Sequence, residues 1–134
     1  MKPFSLESSM LTLRGVFYPT GYLVVMLPTL ADAEKLDHDL RASGYSGKEP
    51  MLLTPETILE QIGKTVRSTD SPLPSVGTEA ATVHKYEEFA LQGHCAVMIH
   101  APSEKETQKV MDVVHGLPFS YAEKYRHLVI EDMA

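Results

Sequence analysis

A chain of 134 residues fits one domain, and its hydrophobic fraction of 43% and charged fraction of 22% are ordinary for a globular protein. The single cysteine, Cys95, excludes an intrachain disulfide and with it a secreted disulfide scaffold. The net charge of −6 repels phosphate backbones, so nucleic acid is not an expected partner. The first residues lack a signal-peptide core, and the longest apolar run, Tyr22–Leu27, is too short to cross a bilayer. We therefore expect a cytoplasmic protein without a membrane partner.

The first predicted unit is a strand followed by a helix. Residues 21–27 are almost continuously apolar and end at Pro28, which is typical of a strand buried on both faces. Thr29 then provides a helix N-cap hydroxyl, with a carboxylate three residues later. Apolar residues recur at helical spacing as far as Leu40, and Gly44 follows where a left-handed residue often ends a helix.

The middle of the chain predicts a short strand, a short helix and a long loop. Residues 49–53 are the second strand, in which a proline suits the start or an edge. Thr54 and Pro55 begin a helix with a capping hydroxyl and a proline at the first helical position, and Gly63 is expected to end it. Residues 64–77 have no periodicity and many turn formers, which predicts a long surface loop.

The second half predicts two helices and two further extended regions. A helix begins at Thr78, and residues 94–100 form a strand. A Ser-x-x-Glu capping box that begins at Ser103 opens the next helix. Residues 118–121 and 125–131 are expected to be extended, as one bent strand or as two.

The order of these elements is βαβ, one or two connecting helices, then βαβ, which is the split βαβ pattern of a ferredoxin-like fold. The sequence therefore predicts an α+β sandwich, a sheet with helices on one face. Its first and third strands are expected to be central and parallel, so that the helices after them begin side by side at Thr29 and Ser103. Residues 1–134 form a single domain in this interpretation, and residues 1–20 are an N-terminal extension or an edge strand.

Three segments carry a resemblance to known proteins. They are residues 15–21 (Gly-Val-Phe-Tyr-Pro-Thr-Gly), residues 52–56 (Leu-Leu-Thr-Pro-Glu) and residues 125–132 (Tyr-Arg-His-Leu-Val-Ile-Glu-Asp). These segments resemble a group of small uncharacterised bacterial proteins, and the βαβ portion is similar to the N-terminal domain of the general stress, or heat-induced stress, protein family. The resemblance implies a bacterial cytoplasmic setting and a role in the stress response, and it assigns no site residue.

Side chains alternate along a strand, so residues 94–100 divide into two faces. Cys95, Val97 and Ile99 make an apolar face that should lie under the helices. The opposite face carries histidine and methionine, and the first and last strands add to it by the same alternation. The predicted interaction face consists of Tyr22, Met26, His94, Met98, His100 and His127. An open face this apolar is expected to be covered, so we predict a homo-oligomer such as a homodimer, or a small-molecule ligand seated on it.

No constellation in the sequence indicates a catalytic or metal centre. His94 and Cys95 point to opposite faces of the strand, so we interpret Cys95 as a packed core residue and not as a nucleophile. His94 and His100 lie about 20 Å apart at roughly 3.3 Å per strand residue, too far for one ion to bridge. We therefore predict neither a metal nor another cofactor.

Two functions remain open at this point. The first is a non-enzymatic, homo-oligomeric module of regulatory or stress-related type that binds a partner or a small ligand on the open face of the sheet. The second is a small dimeric ferredoxin-like enzyme in which one histidine, His100 or His127, acts as general acid and base, because imidazole titrates near neutral pH. The sequence favours the module and assigns no catalytic residue.

Overall fold

The computed structural model of the chain describes residues 1–67, 78–127 and 129–134. These residues form six strands, namely β1 Lys2–Pro3, β2 Tyr22–Leu27, β3 Met51–Leu53, β4 Cys95–His100, β5 Tyr121–Tyr125 and β6 Ile130–Asp132. The helices are α1 Leu30–Ala42, α2 Pro55–Thr57, α3 Lys64–Arg67, α4 Thr78–Leu91 and α5 Glu104–Val114, with a π-helical turn at Ile58–Ile62 and a 3-10 turn at Ser8–Met10. None of the helices in the described ranges is both long and apolar enough to span a bilayer. The predicted α+β class is confirmed.

Two of the long helices begin at the predicted capping residues. At the start of α1 the Thr29 hydroxyl accepts a hydrogen bond from the Asp32 amide and donates one to the Asp32 carboxylate, 2.8 Å away. Ser103 and Glu106 make the same reciprocal contacts at the start of α5. Each cap satisfies an amide that has no partner within its helix, which stabilises the helix by about 1 kcal/mol.

The six strands form one mixed sheet in the order β1-β3-β4-β2-β5-β6. β1 runs parallel to β3, and each of the other neighbouring pairs is antiparallel. The central strands β2 and β4 are therefore antiparallel, and the prediction that they are parallel is wrong. The register gives the reason: Leu53 at the end of β3 pairs with Ala96 near the start of β4, so the intervening segment returns the chain to the same end of the sheet. Thr29 and Ser103 consequently lie at opposite ends of the sheet.

The prediction of helices on one face of the sheet is also wrong, because helices cover both. On one face, which we call the aliphatic face, α1 and α5 cover side chains of the central strands: Leu23, Val25, Leu27, Cys95, Val97 and Ile99. On the other, the aromatic face, α4 and the π-helical turn cover a second set of strand residues: Val24, Met26, Met51, Leu53, Ala96 and Met98. N-terminal residues complete this second layer: Phe4, Met10, Val16 and Phe17. Eight of the ten aromatic residues of the chain belong to the aromatic face.

The helical segment after β3 continues through Gly63 instead of ending there. The Gly63 amide donates a hydrogen bond to the Ile58 carbonyl, which is the i→i+5 bond of a π-helical turn. A Cβ atom at Gly63 would lie 2.6 Å from a Glu87 carboxylate oxygen and 2.7 Å from the Leu59 carbonyl oxygen. Only glycine fits this position, and its absent side chain lets the segment pack closely on α4.

The predicted loop at residues 64–77 is helical at its start, over Lys64–Arg67. Its remaining residues, 68–77, lie outside the described residues. Arg67 donates to the Glu87 carboxylate at 2.7 Å and to the Leu59 carbonyl at 2.7 Å. The guanidinium thus holds α3 to α4 and satisfies a carbonyl next to the π-helical turn.

Two buried charges lie in β5, where hydrophobic periodicity does not indicate a strand. Glu123 and Lys124 interrupt the apolar pattern, yet their exposed fractions are only 5% and 2%. Glu123 lies opposite Val24 and points into the aromatic face, whereas Lys124 lies opposite Leu23 and points into the aliphatic face.

Both edges of the sheet are short. At one edge β1 contributes two residues, of which Pro3 has no amide hydrogen. At the other edge β6 carries Glu131 and Asp132, which lie opposite Lys124 and Glu123 of β5. Residues 1–20 therefore supply an edge strand as well as apolar side chains of the aromatic face.

Candidate functional site

The predicted interaction face is not an open surface of the chain. Met26 and Met98, at its centre, are 0% exposed. The other four members are half-buried or exposed, namely Tyr22, His94, His100 and His127. The expectation of an open face is therefore wrong, because α4, the π-helical turn and the N-terminal segment fold back over it. Among the described residues of this face, those at its ends remain accessible.

The three histidines of the predicted set occupy different surroundings. His94 lies just before β4, and its Nδ1 atom is 2.8 Å from the Ser120 hydroxyl. His100 ends the same strand and therefore lies at the opposite end of the sheet. His127 is exposed, in the turn that follows β5. The structure brings together Tyr22 and His100, and it places His94 far from both.

The start of β2 and the end of β4 form the strongest candidate site, which we call the Tyr22–His100 rim. The two residues lie opposite each other in the antiparallel register, and their rings are 5.0 Å apart and tilted by 59°. Gly21, with φ at 86°, lies beside the imidazole, and a Cβ there would be in ordinary van der Waals contact with Nε2 at 3.7 Å. Within the described part of the chain, no residue forms a hydrogen bond with either ring nitrogen of His100.

The charge state of the rim follows from its surroundings. Burial lowers the pKa of His100 from its ordinary value of 6.5, Lys48 and Lys124 lower it further, and Glu106 opposes them. The imidazole is therefore neutral at pH 7, with one nitrogen that donates and one that accepts a hydrogen bond. Burial, and then Glu7, raise the pKa of Tyr22, so its hydroxyl keeps its proton.

Tyr45 connects the loop after α1 to the rim. Its hydroxyl lies 2.7 Å from the carbonyl oxygen of His100 and 3.1 Å from that of Lys48, and it donates to them. Burial, followed by Glu106, raises the pKa of Tyr45 to about 12, so the hydroxyl remains a donor at neutral pH. The backbone position of His100 is thereby coupled to this loop.

The end of β5 borders the rim on the other side. The Gly21 amide donates to the Tyr125 carbonyl at 2.8 Å, and the Tyr18 hydroxyl donates to the Arg126 carbonyl at 2.7 Å. The Arg126 guanidinium forms ion pairs with Glu104 and Glu131. These contacts fix the position of the strand end beside the imidazole.

A second group of titratable residues lies inside the aromatic face. The hydroxyls of Tyr86 and Tyr125 are 2.8 Å apart and buried. Burial raises the pKa of Glu123, and a hydrogen bond with Tyr121 acts in the opposite direction. Burial also raises the pKa values of Tyr86 and Tyr125 well above their ordinary range, so both stay neutral. We interpret this group as a structural polar network of the core.

Lys124 is the matching buried charge on the aliphatic face. Its ammonium donates to the Ala101 carbonyl, which also accepts a hydrogen bond from Thr107 at 3.1 Å. No carboxylate among the described residues forms an ion pair with it. Burial lowers the pKa of Lys124, and Arg126 lowers it further.

Sequence reasoning missed both buried charges of β5. The tyrosines before and after them, Tyr121 and Tyr125, are the sequence signal that favours a strand there.

Cys95 is buried on the aliphatic face, as predicted. Its thiol lies 3.3 Å from the Thr29 carbonyl, and burial raises its pKa, which disfavours the reactive thiolate. Across residues 1–67, 78–127 and 129–134, no group of three or more histidine, cysteine or acidic side chains is placed to hold a metal ion.

A scan against protein-family models, a search of curated proteins and a search of solved structures each give no match to this chain. The similarity to stress proteins therefore remains a prediction from the sequence. The function has to be inferred from the geometry of the rim.

Proposed function

We propose that the chain is a small, non-enzymatic binding module of regulatory type that takes a small ligand at the Tyr22–His100 rim. The observation that carries this proposal is the His100 imidazole, which is half-buried and packed on Tyr22 while no described residue satisfies its nitrogens. Neither nitrogen is among the buried atoms without a partner, so both reach the surface, where each is open to a hydrogen-bond partner. A bound ligand would supply that partner.

The chemistry of the rim favours a small planar anion. Lys48 and Lys124 act on His100 together with the carboxylate of Glu106, so the imidazole has two cations within reach for an anionic ligand. The neutral imidazole offers one donor and one acceptor, and Tyr22 adds an aromatic ring and a hydroxyl. An aromatic carboxylate matches these features.

Histidine ring spectra recorded by NMR during a titration with benzoate test the binding proposal. We expect the His100 ring signals and the Gly21 amide to shift with benzoate concentration. The pKa of His100 should rise in the complex, because a nearby anion favours imidazolium. His100→Gln should abolish these shifts, whereas His38→Gln, which replaces an exposed histidine on α1, should preserve them. Unchanged benzoate binding in His100→Gln would exclude the rim as the site.

A second function, an enzyme that uses His100 as general base, is favoured by the lowered pKa of this residue. Because the imidazole is neutral at pH 7, it is free to accept a proton from a bound substrate. His127, the other histidine considered from the sequence, is exposed and lacks such an environment. In an enzyme, His100→Gln should remove turnover and leave substrate affinity within a few-fold, whereas in a binding module it removes the affinity itself.

We also propose that the core is ferredoxin-like and that the protein works in the cytoplasm. Support for the fold comes from the order β3-β4-β2-β5 with antiparallel neighbours, and from α1 and α5 on one face. The buried free thiol of Cys95 fits a reducing compartment. A bacterial origin and a stress-related role rest on the sequence resemblance alone.

Homo-oligomerisation remains a proposal, and it now needs a surface other than the covered sheet face. Exposed large apolar side chains are candidate single contacts, namely Leu13, Leu30, Leu91 and Val129, of which Leu30 and Leu91 lie at the end of the sheet opposite Val129. Sedimentation at micromolar concentration tests it: we expect a dimer or larger species, and a monomer would remove the proposal. Leu13→Ser, at a fully exposed turn position, should shift the equilibrium toward monomer.

A further inference from the structure

A cavity of about 380 Å³ lies between the C-terminal end of α1 and the outer side of α5. Apolar side chains of the two helices line it, namely Leu40, Val110 and Val113. The loop of residues 43–47 closes one side with two serines, two glycines and Tyr45. This size and mixed lining are typical of sites for small molecules.

Three charged side chains of α5 also line the cavity, in the order Glu106, Lys109 and Asp112. Residues three apart on a helix are neighbours, so Lys109 lies between the two acids. In the described ranges, however, Lys109 forms neither an ion pair nor a hydrogen bond. Glu106 accepts a bond from Ser103 and Asp112 accepts one from Gln108, which leaves both carboxylates with further acceptor capacity.

From this arrangement we infer that the cavity binds a small zwitterion, an α-amino acid with an aliphatic side chain. Its ammonium group would lie at one of the two acids, Glu106 or Asp112, which are about 9 Å apart along the helix axis, and its carboxylate at Lys109. The aliphatic part would rest on Leu40 and the two valines of α5. A simple amine has no group for Lys109, and a simple carboxylate would face two acids. Only a ligand with both charges satisfies the whole lining.

This site is distinct from the Tyr22–His100 rim and does not depend on the function proposed there. Tyr45 is the link between them, since it lines the cavity and its hydroxyl donates to the His100 carbonyl. An amino acid in the cavity would therefore contact the residue that positions the imidazole.

Isothermal titration with three probes tests the inference: L-leucine, isoamylamine and 4-methylpentanoate. Leucine should bind and should shift the amide NMR signals of residues 43–47 and 106–113. The amine and the acid, which each lack one charge, should bind about tenfold more weakly or worse, a loss of about 1.4 kcal/mol. In Lys109→Gln, leucine should bind no better than the amine. Lys105→Gln is the matched control, because this exposed lysine lies on the same helix outside the cavity.

Both substituted lysines are exposed, so both variants should fold and a loss of leucine binding can be assigned to the lost charge. Leucine binding that Lys109→Gln leaves unchanged would overturn the assignment of the carboxylate. Equal affinity for leucine and isoamylamine would overturn the zwitterion as ligand class. Leucine-induced shifts confined to the Tyr22–His100 rim, or no shifts with any probe, would overturn the cavity as the site.

Discussion

The two layers that cover the sheet are stabilised in different ways. The aliphatic face is covered by α1 and α5, and most of its buried residues are branched or small apolar side chains with Lys124 as the buried charge. The aromatic face holds eight of the ten aromatic residues, the Tyr86–Tyr125 hydrogen bond and Glu123. Burial of apolar area is tolerant of exact geometry, whereas buried hydrogen bonds are not. Both faces are therefore core, but specific polar contacts matter more on the aromatic one.

The largest effect is expected from a charge placed in either layer. Val97→Asp and Met98→Asp should both unfold the chain, because each puts an unpaired carboxylate into a fully buried position at a cost of several kcal/mol. Circular dichroism with urea denaturation measures this. Ala81→Asp, at an exposed position of α4, is the control and should leave stability nearly unchanged. A folded Met98→Asp variant beside an unfolded Val97→Asp would show that the aromatic face is not core.

The Tyr86–Tyr125 hydrogen bond should give the next largest effect. Tyr86→Phe or Tyr125→Phe alone should lower the free energy of unfolding by about 1–2 kcal/mol, because the remaining hydroxyl is buried without a partner. The double variant should lose less than the sum of the single losses, since it removes both hydroxyls. Urea denaturation of the four proteins gives the coupling energy. Strict additivity would mean that the two hydroxyls do not depend on each other.

Glu123→Gln should stabilise the protein at pH 7 by about 1 kcal/mol, because it removes a buried charge from the aromatic face. The pKa of Glu123 is raised in the folded chain, so on acidification the folded state takes up a proton before the unfolded state does. As pH falls through this raised pKa, the free energy of unfolding of the wild type rises relative to that of the variant. The stability advantage of Glu123→Gln therefore shrinks. Glu88→Gln, at an exposed position of α4, controls for the loss of a surface carboxylate. A stability difference between the wild type and Glu123→Gln that does not change with pH would contradict the raised pKa of Glu123.

Lys124→Met should show the opposite pH dependence on the aliphatic face. At pH 7 the variant should be more stable by about 1 kcal/mol, because the buried ammonium has no carboxylate partner. The pKa of Lys124 is lowered in the folded chain, so the folded state loses its proton first as pH rises. The advantage of the variant should therefore shrink toward pH 10, near the ordinary lysine pKa of about 10.4. Thermal unfolding against pH measures it, and Lys105→Met controls for the loss of a surface lysine.

The smallest effect concerns the contact that holds α3 to α4. Arg67→Gln should lower the free energy of unfolding by about 0.5 kcal/mol, because an exposed ion pair and one carbonyl contact are lost. Lys35→Gln, which removes an exposed ion pair with Asp39 within α1 and, among the described residues, no contact to a carbonyl, is the control and should cost less. An effect that survives high salt would show that the Leu59 carbonyl contact dominates.

Local signals predicted much of the aliphatic half of the fold. Thr29 and Ser103 begin helices because a side chain three residues away completes each cap, which is information contained within one turn. The alternation of Cys95, Val97 and Ile99 also identified the residues under α1 and α5. The predictions that were wrong depend on contacts between residues far apart in the sequence. Whether the Met98 side is open depends on where the chain between β3 and β4 returns, and no local pattern encodes that return.

The candidate site was predicted in part, for related reasons. Tyr22 and His100 were both in the predicted set, but their contact follows from the antiparallel register of β2 and β4, which the expected parallel arrangement does not give. The burial of Lys124 was not predicted, because lysine is rarely buried in folded proteins. Tyr45 follows α1 as an ordinary loop residue, and only the folded chain brings its hydroxyl to the His100 carbonyl.

The two short edge strands have a consequence for self-assembly through fibrils. An exposed edge is a template on which a strand from another molecule can extend the ladder of backbone hydrogen bonds. Here the template is two residues long at β1, with Pro3 unable to donate, and three residues long at β6, where Glu131 and Asp132 carry like charges. Before another strand could add, β1 or β6 would have to detach and expose the edge of β3 or β5. The folded chain is thus protected at both edges of its sheet, and aggregation should begin only after an edge strand has detached.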